Sequence, residues 1–133
     1  MNKILKPERA GWGSFDLESF HGRVSYVDYV PEMVIEAHRL YKMYKSCVIT
    51  FDEEGSAFYL VLTDFEAFII QERGEVKLIC LKTGSSDIIE QMYSDIVNSV
   101  DAWVDWMAPE TTQEAVTNKR RIERLIKENE CLE

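Results

Sequence analysis

Two histidines, three cysteines and an unevenly placed set of carboxylates are the residues with which this 133-residue chain could do chemistry. His21, in Phe20-His21-Gly22-Arg23, is of the type that serves as a general base, but nothing local in the sequence supplies an orienting partner. A surface or turn histidine is expected there. His38 is expected at the edge of a helix, with a blander role still. Cys47, Cys80 and Cys131 form no CxxC pair, and an odd number so widely spread makes a poor disulfide framework. Cys47 and Cys80 sit inside apolar runs and read as small buried hydrophobes, which favours a reducing compartment.

The motifs that announce catalysis are missing from the sequence: there is no GxSxG elbow, no GxGxxG or Walker phosphate loop, no HExxH and no Cys/His ligand cluster. Asp52-Glu53-Glu54 lacks the alternating carboxylates of a calcium loop. The expectation is a protein that is not an enzyme and holds neither cofactor nor metal. Gly11-Trp12-Gly13-Ser14 has two readings, a flexible loop presenting an aromatic ring or a tryptophan anchoring the N-terminal segment, and the anchor is preferred.

The carboxylates carry more information. The net charge is −9, but residues 46–118 hold fourteen carboxylates and only three cations, Arg73, Lys77 and Lys82, while both ends are nearly balanced. A field of that sign repels phosphate backbones, so direct binding to nucleic acid or to an anionic membrane is disfavoured and a basic protein partner fits better. Acidic residues also simply keep small domains soluble, and charge alone does not decide between the two.

These residues need elements to position them. Residues 1–22 contain Pro7, Gly11, Gly13 and Gly22 without a sustained period and read as an extended or looped lead-in pinned by Trp12, Phe15 and Phe20. A short strand is expected around Val24 and Tyr26. Over residues 31–45, Met33, Val34, Ala37, Leu40, Tyr41 and Tyr44 recur at helical spacing, predicting an amphipathic helix. Four apolar runs of strand length follow, 46–51, 57–62, 65–71 and 76–81, separated by loops short enough for hairpins, which predicts an antiparallel meander. The third is the weakest, because Thr63 and Glu66 also make a capping box and Phe65, Phe68 and Ile69 would share one helical face.

Residues 87–107 place nine apolar side chains from Ile89 to Met107 on one side of a long helix expected to cover one face of the sheet. Its exposed side carries Asp101 and Asp105, a like-charge i, i+4 pair that costs a few tenths of a kcal/mol. Two explanations stand: the cations Lys119, Arg120, Arg121, Arg124 and Lys127 of the following helix neutralise them, or a basic partner does, with Trp106 at the rim as an anchor. Thr111 and Glu114 form a capping box opening that last, peripheral helix over 110–130.

The fold expected is therefore α+β and a single domain: a four- to five-stranded, mainly antiparallel sheet packed against helices 31–45 and 87–107, with a peripheral C-terminal helix. At this length one core buries close to ~70% of the unfolded surface. No apolar run approaches the ~20 residues of a membrane span or the length of a signal peptide, which together with the cysteine pattern suggests the cytoplasm. The profile is similar in type to bacterial immunity proteins that neutralise toxin nucleases in bacterial competition. The expected contact residues are Asp52, Glu53, Glu54, Asp64, Glu72, Glu75, Asp101, Asp105 and Trp106. An acidic secretion chaperone, usually a homodimer, is one alternative. A small-ligand-binding or enzymatic domain without a recognisable motif is another.

Overall fold

The computed structural model describes residues 1–131 and is α+β, with two antiparallel sheets and four helices. β1 (Leu5–Pro7), β2 (Trp12–Leu17) and β3 (Phe20–Ser25) form a three-stranded sheet in sequential order. Helix α1 (Val30–Tyr44) follows, and β4 (Ser46–Asp52), β5 (Ala57–Thr63), β6 (Ala67–Arg73) and β7 (Glu75–Cys80) form the meander. α2 (Ser85–Val97), α3 (Val100–Trp106) and α4 (Thr112–Glu130) complete the chain.

Three expectations about architecture are corrected. The strands do not form one sheet, and residues 1–22 are not a lead-in but supply β1, β2 and the start of β3. Glycines obscured the alternation there, yet they are what allow the sheet to sit against the meander. A Cβ at Gly22 would come 2.5 Å from the Phe58 ring, which is itself fully buried. Phe58 belongs to a cluster with Phe15, Phe20 and Phe51, centroids 4.8–6.0 Å apart, that joins the two sheets. Gly22→Ala is accordingly expected to destabilise the protein by about 2–3 kcal/mol through overpacking, measured by urea unfolding.

The third correction concerns the long helix, which breaks at Asn98-Ser99 into α2 and α3. In a continuous helix the Asp95 carbonyl would accept from the Ser99 N–H. Here the Trp103 indole N–H takes that carbonyl at 3.1 Å, and the Ser99 N–H turns to Ile96 O at 3.2 Å. The break falls on the polar side, so the apolar period runs through it unchanged and the sequence pattern does not report it. Smaller shifts follow the same local logic. Thr63 Oγ1 accepts the N–H groups of Phe65 and Glu66 as a capping box would, but it closes a β5–β6 turn, so β6 starts at Ala67. At α4 the expected cap forms, with Thr111 accepting from Glu114 N at 3.0 Å.

α1 packs against β4, α2 and α4, and α2 against β1, which places the helices on one face of the meander. The core lies between, with Ile49, Phe51, Phe58, Leu60, Leu62 and Ile69 on the sheet side and Val34, Ile88, Ile89, Met92 and Ile96 on the helix side.

Candidate protein-binding surface

The strand register decides which face of the meander is left bare. Successive residues of a strand point to opposite faces. Cys47, Ile49 and Phe51 of β4 and their neighbours in β5 and β6 point inward, to the helices and, at Phe51 and Phe58, to the β1–β3 sheet. The intervening residues form rows on the other face: Val48, Val61, Phe68 and Cys80, then Thr50, Tyr59, Ile70 and Leu78, then Asp52, Ala57, Glu72 and Val76. Val48, Leu78 and Val76 are 60%, 64% and 71% exposed. Cys80, expected to be buried, is exposed because it belongs to this outer face.

Carboxylates border the rows at both ends. Asp52, Glu72 and Glu75 lie at the end of the β4–β5 and β6–β7 turns, and Asp64 and Glu66 at the β5–β6 turn. Between that second pair stands Phe65, 95% exposed at the tip of the turn. Its helical phase with Phe68 and Ile69 hid this position, since a turn residue carries no packing constraint. Glu54 is held at the first end, accepting from Ser25 Oγ at 2.6 Å, while Asp52 accepts the Glu54 N–H at 2.7 Å.

Glu53 leaves this group. It is 1% exposed and points inward, accepting from Arg73 Nη2 and Nε at 2.7 and 3.1 Å, from the Arg23 N–H at 3.0 Å and from Ser56 Oγ at 2.9 Å. Burial pushes its carboxyl up, but the hydrogen bonds from Arg73, Arg23 and Ser56, with the Arg73 charge, outweigh this and hold it below the usual range. Glu53 is thus an internal tie, and Arg73 is committed to it. Lys77 pairs with Glu75 at 3.5 Å on the surface, an exposed contact worth under about 1 kcal/mol.

The acidic residues of the helices separate in the same way. Asp101 is met by Lys119 of α4 at 2.9 Å, so the internal explanation holds for this carboxylate. Asp105 is exposed and makes no ion pair among the described residues. Trp106 is not an anchor at the rim. It is buried, packs edge-on against Trp103 with centroids 5.1 Å apart, and donates its indole N–H to Trp12 O at 2.9 Å. Trp12 itself begins β2, with the Arg23 guanidinium over its ring, so residues 12–14 are an anchored strand entered from the turn at Gly11.

Both histidines have partners that sequence reading missed. His21 Nδ1 lies 2.5 Å from Asp16 Oδ1, five residues away and opposite it in the β2–β3 register. Both side chains are exposed, so nothing shields the pair from water. His38 is buried, stacked on Tyr93 at 4.0 Å, with Nε2 on Glu90 at 2.8 Å and Nδ1 on the Asn129 amide nitrogen at 2.8 Å. Lys42 closes the same junction by donating to Asn129 O at 2.8 Å. The signal was available: His38 is four residues from Val34 and three from Tyr41, both on the buried face of α1. The arrangement fastens α4 to α1 and α2. Among the described residues no group of three His, Cys, Asp or Glu is placed to hold a metal ion, and no helix is long and apolar enough to cross a membrane. No protein-family model, curated protein or solved structure matches the chain.

Proposed function

We propose that this protein is an acidic protein-binding module that engages a basic partner through the outer face of the β4–β7 sheet, and that it serves as an immunity or inhibitor protein against a basic toxin such as a nuclease. One observation carries the reading: an uncovered apolar sheet face bordered by carboxylates, on strands whose cations Arg73 and Lys77 are engaged by Glu53 and Glu75. Apolar centres with charged rims are the usual anatomy of a protein interface. A nuclease site is basic because it holds phosphate, and a surface imitating that charge can occlude it. The contact set is Asp52, Glu54, Glu72 and Glu75 at one end, Asp64 with Phe65 at the other, and Val48, Val76 and Leu78 between them.

The test is calorimetric titration with the basic polypeptide encoded beside this protein's gene. One-to-one binding is expected, weakening at least about tenfold between about 0.1 and about 1 M salt, as the screening length falls from about 10 to about 3 Å. The triple substitution D52N/E72Q/E75Q should weaken it about tenfold or more at low salt, mostly through slower association. Binding insensitive to both salt and these substitutions would remove the acidic surface from the interaction.

A further inference from the structure

We infer that β7 takes up an extended basic segment of the partner as a fifth strand of the meander, a mode of engagement that rests on the partner reading above. β7 ends the strand order β4-β5-β6-β7, so among the described residues one flank of its backbone has no strand beside it. A row of unpaired N–H and C=O groups is a template for another chain, and proteins ordinarily blunt it with charge, proline, a bulge or a covering element. The only charged residues of β7 are Glu75 and Lys77, which pair with each other, and the strand contains no proline. Its remaining residues are Val76, Leu78, Ile79 and Cys80. The helices do not reach beneath it either: on the inward side Lys77 is exposed and Ile79 only half-buried. Edge and both faces are therefore open on an apolar strand.

Charge selects the occupant. On the outer face at the turn end of β5, β6 and β7, Ser56, Ala57, Glu72, Gly74, Glu75 and Val76 line a depression of about 420 Å³ whose charged lining residues are Glu72 and Glu75. Val76, Leu78 and that depression share the outer face, so the outward-facing residues of the added strand would be a Lys or Arg over the depression beside Val76, followed by apolar side chains beside Leu78 and Cys80. Main-chain hydrogen bonds supply affinity in such additions and the alternate side chains supply specificity. A second copy of this chain would instead bring together two surfaces of a protein whose net charge is −9.

The probe is a blocked peptide of about eight residues, long enough to span β7, whose outward-facing alternate positions are lysine at the end that meets Val76 and valine over the rest, with threonine at the intervening positions. Hydrogen exchange at the amides of Val76, Leu78 and Cys80, which face the free edge, should slow at least tenfold on its addition, and should not on addition of the glutamate counterpart. V76K/L78K alters two exposed side chains and should abolish the protection while leaving the unfolding midpoint unchanged. Salt-sensitive peptide binding without protection of β7 would overturn strand addition and leave the acidic partner surface standing. If the lysine peptide does not bind at all, strand addition is likewise refuted, and the titration with the neighbouring gene product decides the partner reading separately. A dimer in sedimentation, with β7 amides already protected, would assign the edge to a second copy.

Discussion

Replacing Asp95 by alanine is expected to lower the free energy of unfolding by about 3–5 kcal/mol and to loosen the N-terminal strand ahead of global unfolding. Asp95 is buried on α2, and its Oδ2 accepts the backbone N–H groups of Ile4 and Leu5 at 2.8 and 2.9 Å, while Oδ1 accepts from Gln91 at 2.8 Å. Truncation leaves two buried donors without partners, each costing about 1–3 kcal/mol, and frees Ile4 and Leu5, both 1% exposed, from the helix that holds them. Asp95→Asn keeps one accepting oxygen and should lose roughly half as much. Urea unfolding measures the total, and exchange at the Leu5–Pro7 strand and its β2 partners locates it. A change under about 1 kcal/mol for the alanine variant would mean that β1 is held by its apolar contacts alone.

Glu53→Ala is expected to cost about 3 kcal/mol or more, because it strands the Arg73 guanidinium, the Arg23 N–H and the Ser56 hydroxyl around an empty space. Glu53→Gln preserves shape without charge and should fall between the two. The tie also has a pH signature. The folded carboxyl is held below the value of about 4.3 that it would have in the unfolded chain. Its contribution is therefore present above that unfolded value and is lost as pH falls through the lower folded one. Asp28 works in the opposite sense, since burial raises its carboxyl, so its share of stability grows as the solution is acidified. Unfolding midpoints followed from neutral to about pH 3 should decline less steeply in Glu53→Gln than in the parent. Parallel curves would show that Glu53 titrates alike in both states.

How much of this was legible in the sequence depends on whether the governing interaction was local. The meander was, because its alternation and its turns lie within a few residues of one another, and so were α1 and the cap at Thr111. The separation into two sheets was not, because it follows from Gly22 meeting Phe58 across 36 residues of chain. The α2–α3 break was hidden because its cause, an indole reaching back to a carbonyl, leaves the apolar period intact. Within Asp52-Glu53-Glu54 three similar residues have three different surroundings, and only the arrival of Arg73 from another hairpin identifies Glu53 as the inward one. Helical phase puts Trp106 at the rim, but Trp12 supplies its indole with an acceptor from a distant strand. His38 was readable from its spacing alone, whereas its partners Glu90 and Asn129 were not.

The layering of the molecule has a kinetic consequence. The bare face of the meander sets Asp52, Glu54, Glu72 and Glu75 beside the exposed Val48, Val76 and Leu78. An acidic patch draws a basic partner from a distance, so encounters with that face are more frequent than with a neutral surface of the same shape, and the gain shrinks as salt is added.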